Sequence, residues 1–279
     1  MRPLVLYHDQ CFDGFAAAWV AHKHFGDDAD YLPVQYGQSP PDVSGRDVFI
    51  LDFSYKRPAL LDMRPKASSI LVVDHHKTAQ QDLADLSDPF HPLGLDLKHP
   101  LRCVFDMDKS GGRLTWEHFF PKQSSPWMVD YTEDRDLWRH KLRNSREINA
   151  ALRSYPMDFQ RWDCWEEMTR EDKLPLLERL SDEGGAILRR EQQIVDTHVR
   201  FAREIELDGH KVLCVNATVL ISEIAGALAK DRPFGVCWFE RSDGKRAYSL
   251  RSREGGIDVS EIAKRHGGGG HRNAAGYEI

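Results

Sequence analysis

Apolar residues follow two different rhythms along this chain. In the first half, short apolar runs at residues 4–7, 31–36, 48–51 and 70–73 alternate with amphipathic stretches such as the alanine-rich segment 13–25. The runs at 48–51 and 70–73 have no polar break, as expected of strands buried on both faces, and their alternation with helical stretches predicts a parallel sheet flanked by helices. After residues 103–105 the pattern turns helical through 113–120, 126–137, 145–153 and 158–168, which predicts a helical layer over one end of the sheet.

The second rhythm begins at residue 175. Leu180, Ile187, Ile194 and Phe201 recur every seventh position with no strand signal between them, so residues 175–205 are expected to form one long helix, kinked at Gly184-Gly185. Such a stripe could form a homodimer, although packing onto the chain's own domains is the simpler account. Beyond it come three β-rich runs (211–215, 234–239, 247–250) and two helical ones (222–230, 259–265). The expected fold class is therefore α/β: a parallel-sheet domain over 1–174, a helical linker over 175–205 and a smaller α+β domain over 206–279.

Composition narrows the function classes. At 279 residues the chain sits where one core stops growing, and 41% hydrophobic with 29% charged residues excludes global disorder. The five cysteines are odd in number and scattered, without a C-x-x-C, which excludes a disulfide scaffold and suits a reducing compartment. Acidic residues outnumber basic ones 44 to 38, a net charge of −6, so a coat for long duplex nucleic acid is disfavoured. The first apolar run is too short for a secretory signal and no later segment suits a bilayer, so a cytoplasmic protein with no membrane partner is expected.

Candidate chemistry gathers at the predicted carboxyl ends of the strands, where open α/β sheets place ligands. His8, Asp9 and Asp13 follow the first run, Asp52 follows the third, and Asp74-His75-His76 follows the fourth. A single Asp after a strand is commonly a helix cap. Two adjacent imidazoles directly after four buried apolar residues are harder to account for in that way. Several anions on one edge would repel one another without a cation, so a metal centre is expected, its oxygen-rich donors with some imidazole suiting Mn²⁺ or Mg²⁺ better than structural zinc. Phe159, Trp162 and Trp165, at helical spacing, could stack on a base but are better read as a core stripe.

Asp74-His75-His76 resembles the signature of the DHH phosphoesterase superfamily, and Gly268-Gly269-Gly270-His271 with Ala274-Ala275-Gly276 resembles that of its DHHA1 substrate domain. Together, and in this order, they make the resemblance specific over nearly the whole chain. It implies a two-domain, two-metal phosphoesterase, usually Mn²⁺-dependent, holding short oligonucleotides, dinucleotides or small phosphate esters between its domains. The family's H-x-D-x-D-G motif falls on residues 8–14, which here read His-Asp-Gln-Cys-Phe-Asp-Gly. Counted back from Gly14, Asp13 keeps its place, Cys11 replaces a carboxylate and His8 stands one residue further out.

By the same resemblance, Asp52 bridges two divalent cations, one also held by His8 and Asp13 and the other by His75 and Asp136, with Asp134 as runner-up to Asp136. His76 faces the substrate phosphate. Cys11, if it ligates, shifts preference from Mn²⁺ and Mg²⁺ toward Zn²⁺ or Fe²⁺. In the C-terminal signature the glycines, Gly269 and Gly270 among them, could form a backbone anion nest at a helix starting near His271, with Arg251, His271 and Arg272 as side-chain phosphate contacts. The expected activity is metal-dependent hydrolysis of short oligonucleotides or linear dinucleotides to mononucleotides. Cyclic dinucleotides, nucleoside bisphosphates and pyrophosphate or polyphosphate are alternative substrates, and a nucleotide-binding module that has lost catalysis is the rival from another class.

Overall fold

A computed structural model describes residues 1–88 and 90–279, which fall into two compact units, Met1–Ile187 and Leu188–Ile279. In the first unit the strands β1 (Leu4–His8), β2 (Asp30–Val34), β3 (Asp47–Leu51), β4 (Ser69–Asp74) and β5 (Leu101–Phe105) form a wholly parallel sheet in the order β2-β1-β3-β4-β5. Both faces are covered, as the unbroken apolar runs require. Leu4, Leu6, Val48, Ile50, Ile70 and Val72 pack on one side with Leu60 and Met63 of α2 (Arg57–Met63). Val5, Leu51 and Val73 pack on the other with Ala17 and Ala21 of α1 (Phe12–Phe25) and Leu114. Each such fully buried aliphatic, Ile50 for example, stabilises the sheet by roughly 1.5–3 kcal/mol.

This strand order reverses direction between β1 and β3, and the crevice at such a reversal, beyond the carboxyl ends of the strands, is where ligands bind in doubly wound sheets. The site residues begin at the carboxyl ends of three of these strands: His8 is the last residue of β1, Asp52 directly follows β3 and Asp74 is the last residue of β4. After α3 (Lys77–Asp82) and α4 (Pro92–Leu95), helices α5 (Gly111–Phe119), α6 (Trp127–Asp136), α7 (Ser145–Ser154) and α8 (Phe159–Glu166) form the helical layer expected from the sequence. Its core contains Phe15, Trp19, Met128, Ile148, Trp162, Trp165 and Leu180. Trp162 and Trp165 are thus core side chains and not a base platform, and Phe159 stacks on Phe15 with centroids 5.4 Å apart.

The long helix α9 runs unbroken over Arg170–Phe201, with residues 170–187 in the first unit and 188–201 in the second. One expectation is corrected here. The helix stops four residues early, because residues 203–205 belong to a strand and Phe201, the last of the heptad stripe, is exposed. At the glycine pair the helix is continuous, and a Cβ on Gly184 would lie 1.7 Å from the Glu147 carbonyl oxygen, so this glycine allows a close approach of α7.

The second unit is a six-stranded mixed sheet in the order β10-β11-β9-β8-β7-β6. Its strands are β6 (Arg203–Leu207), β7 (His210–Asn216), β8 (Gly235–Glu240), β9 (Arg246–Arg251), β10 (Gly269–His271) and β11 (Ala274–Glu278), and only β7 and β8 pair in parallel. Helices α10 (Ile221–Leu228) and α11 (Val259–Arg265) supply separate apolar clusters. Among the described residues no helix is long and apolar enough to cross a membrane.

Candidate active site

Asp52 is the centre of the arrangement. It directly follows β3 with a left-handed backbone (φ 54°), a conformation that is uncommon outside glycine and concentrates at functional positions. Its carboxylate is buried, and neither oxygen accepts a hydrogen bond among the described residues. What surrounds it are potential metal donors. His75 Nε2 lies 3.1 Å from Oδ1, and His8 Nδ1, also without a hydrogen-bond partner, lies 3.7 Å from Oδ2. His75 Nε2 is also 3.6 Å from Asp13 Oδ2 and 3.5 Å from Asp136 Oδ2.

Two overlapping sets of donor atoms each lie within 4.8 Å of one another, His8 with Cys11 and Asp52, and Asp13 with Asp52 and His75. Donors about 2.1 Å from one small divalent ion stand roughly 3 Å apart along the edges of its coordination shell. The separations around His75 are close to that spacing. A buried carboxylate with no hydrogen bond among the described residues, flanked by imidazoles and further acids, fits a divalent cation.

The electrostatics agree. Burial, with Asp52 and Asp136 beside it, pushes the Asp13 carboxyl well above its ordinary range. Burial also works to raise Asp52, but the His75 and His8 imidazoles outweigh it and hold this group well below the usual value. His75 shows the converse: burial opposes its charge, while Asp52, Asp136 and Asp13 overcome that and raise it well above an ordinary imidazole. The cluster therefore demands positive charge, which protons on Asp13 and His75 supply when no cation does. The Cys11 thiol is pushed well up by burial and by Asp52, Asp136 and Asp13, so a thiolate there needs a cation to hold it.

Local sequence explains how these groups are fixed. Gly14 lets α1 begin against β1, since a Cβ there would come within 2.3 Å of the His8 carbonyl oxygen. Asp13 is a cap, but for a different helix: its two oxygens accept the N–H groups of Gly111 (2.6 Å) and Gly112 (3.0 Å) at the start of α5, whose N-cap is Ser110. A Cβ on Gly111 would lie 2.5 Å from the Asp52 Cβ, so α5 can reach the site only with glycine there. The sequence pattern carried this signal only as Ser110-Gly111-Gly112 ahead of a helical run. Tyr36 is a further neighbour that the pattern did not single out. Its ring meets His8 edge-on at 5.2 Å and His76 at 6.0 Å.

Asp74 holds the turn after β4. Its Oδ1 accepts the N–H groups of His75 (2.7 Å) and His76 (3.2 Å) and lies 2.7 Å from His76 Nδ1. Burial opposes charge on His76, and Asp74 more than compensates, raising it above an ordinary imidazole. Asp134 and Asp136 have separate roles. Asp136 faces His75, whereas Asp134 accepts the N–H groups of Lys141 (2.9 Å) and Leu142 (3.2 Å) and fixes the following loop.

In the second unit the expected helix near His271 is absent. Residues 269–271 and 274–278 form a hairpin instead, because a Cβ on Gly268 would lie 2.0 Å from the Gly276 carbonyl oxygen and one on Gly270 2.5 Å from that of Ala274. The glycines thus serve close strand approach. His271, Ala274 and Arg251 stand in one row across β10, β11 and β9. Arg251 donates from Nη2 to Ser222 Oγ (2.8 Å). Arg272, in the hairpin turn, donates to the Gly256 carbonyl (3.0 Å) and lies 3.6 Å from Asp258, so it ties the turn to the segment between β9 and α11.

Comparison with known proteins bears on both units. Residues 216–279 match the DHHA1 domain. Over 98% of its length the chain is 30% identical to an uncharacterized protein of Acanthamoeba polyphaga mimivirus and covers 66% of it, just under two thirds. It is 26% identical, again over 98% of its length, to the oligoribonuclease NrnB of Bacillus subtilis, of which it covers 72%. Among solved structures, a pGpG-specific phosphodiesterase, PggH, of Vibrio cholerae shares 15% identity at a TM-score of 0.47, covering 100% of this chain and 93% of that one, a likeness too distant to bear on function.

Proposed function

We propose that this chain, which resembles the DHH phosphoesterase superfamily and whose residues 216–279 match the DHHA1 domain, is a metal-dependent phosphodiesterase that hydrolyses short oligonucleotides or linear dinucleotides to mononucleotides. The observation that carries this reading is Asp52, buried without hydrogen bonds among His8, Asp13 and His75 at the sheet's reversal point. The name of the Bacillus subtilis relative supports the choice of substrate, and so does the chain's acidic balance, which offers long strands no broad attraction.

In this reading His8, Cys11, Asp13, Asp52, His75 and Asp136 hold divalent cations, which when bound supply Lewis acidity and a nucleophilic water active at neutral pH. Asp52 lies between the two donor sets and is their shared member. Asp74 engages His76 through Nδ1 and favours the imidazolium, so the His76 contact to a phosphoryl oxygen is through Nε2. Arg251 and His271, with the Gly269 and Gly270 backbone, bind a terminal phosphate of the substrate within the DHHA1 domain. Arg272 supports that hairpin through Asp258 and contacts substrate less directly.

The test is Mn²⁺-dependent release of mononucleotides. A linear dinucleotide carrying a terminal phosphate should be cleaved with a kcat/KM at least about tenfold above that for long single-stranded RNA, a transition-state preference of about 1.4 kcal/mol. Equal efficiency on long RNA would refute the short-substrate reading, and no turnover with any divalent ion would refute the enzyme.

Cys11 is tested separately. Cys11→Ala should stay folded and bind metal more weakly, by more than the roughly tenfold loss expected for a contact that only supports a ligand. Cys11→Asp should keep Mn²⁺-dependent activity and favour harder ions. Wild-type metal affinity in Cys11→Ala, measured by titration, would remove Cys11 from the ligand set.

A further inference from the structure

Helix α6, which carries Asp136, ends in an unusual way. Leu137 is the C-cap, and Trp138 follows with a left-handed backbone (φ 56°). Trp138 N–H donates to the Arg135 carbonyl and Arg139 N–H to the Asp134 carbonyl, each at 2.8 Å. This is the double hydrogen bond of a Schellman ending, whose left-handed position is normally glycine because a Cβ is strained there. Here the position holds the largest side chain available.

Burial does not repay that strain. Trp138 is 51% exposed, more than any other tryptophan among the described residues, whereas Trp19, Trp116, Trp162 and Trp165 are buried. Nor does the loop need the ring to hold its path, because Asp134 accepts the N–H groups of Lys141 and Leu142. The indole is nevertheless positioned: the Arg135 guanidinium lies over it at 5.8 Å and the His140 ring meets it edge-on at 5.2 Å. Two peptide units span at most about 7 Å, so the Trp138 backbone stays within a nucleotide's length of the Asp136 backbone. A strained, exposed and braced indole beside a candidate metal ligand has the attributes of a binding platform.

We propose that Trp138 is a stacking platform for a nucleobase of the substrate, with Arg135 supporting the ring. The choice of ligand rests on the phosphodiesterase reading above. Stacking tolerates any base, so Trp138 selects for the presence of a base next to the phosphate and not for its identity.

The experiment uses the Mn²⁺-loaded full chain and two ligands of equal charge: a dinucleotide with a non-hydrolysable methylene-phosphonate linkage, and its abasic counterpart. Calorimetric titration should show that Trp138→Gly weakens the dinucleotide about tenfold and leaves the abasic ligand unchanged. The melting temperature should be the same or higher, because glycine suits the left-handed position. Trp138→Phe should keep most of the dinucleotide affinity, and Trp138→Leu serves the same comparison if the glycine variant fails to fold. Unchanged dinucleotide affinity, or equal loss for both ligands, would overturn the proposal. Turnover is scored separately: base-dependent binding without release of mononucleotides would refute the phosphodiesterase reading and leave the platform standing.

Discussion

Asp52→Asn should leave the protein folded and strip it of activity by far more than the roughly 10–100-fold expected for residues that only orient ligands. The substitution keeps the side chain's shape but removes its charge and one of its two acceptor oxygens. Those oxygens accept no hydrogen bond among the described residues, so the only partners weakened are the imidazoles of the site itself. What is lost is the shared member of both donor sets. Metal content by atomic emission should fall together with the rate. A variant with full metal content and unchanged rate would exclude Asp52 from the centre.

The adjacent histidines should separate cleanly. His75 Nε2 is approached by Asp13, Asp52 and Asp136 at 3.1–3.6 Å. His75→Ala should therefore lose bound metal along with activity, and three acids would be left facing a void without the imidazole that all three approach. His76 is tied instead to Asp74. His76→Ala should retain metal at the wild-type ratio and lose rate by about 10²–10³-fold, the usual effect of removing one group that stabilises developing charge. Equal metal loss in the two variants would contradict this division, and the comparison is controlled because both changes sit in the same turn.

Much of this was legible in the sequence for a definite reason. Strands buried on both faces leave unbroken apolar runs, and in a parallel sheet all their carboxyl ends lie on one edge, so His8, Asp52 and His75 could be grouped before any coordinates. What stayed hidden acts through space. Gly111 matters because its missing Cβ makes room for Asp52, and nothing in its neighbourhood along the chain records that. Four consecutive glycines looked like an anion nest before a helix, yet two of them permit close pairing of strands β10 and β11. The strand at 203–207 was hidden behind a heptad that runs to Phe201, and nothing along the chain marks Trp138 as a left-handed position, since glycine and not tryptophan signals one.

The candidate ligands are contributed by distant points of the chain, from His8 to Asp136, and meet only through the folded sheet and its helical cover. An unfolded chain therefore offers a cation no comparable site, and binding of metal must follow folding instead of guiding it. Divalent ions compete for loose ligands in a fixed order that favours copper and zinc over manganese. A polypeptide that presents its donors only after they are locked in place escapes part of that competition, because spacing and not bare affinity then decides which ion enters. For a centre held by these residues, the long sequence separation makes the choice of ion depend on the spacing that the fold sets.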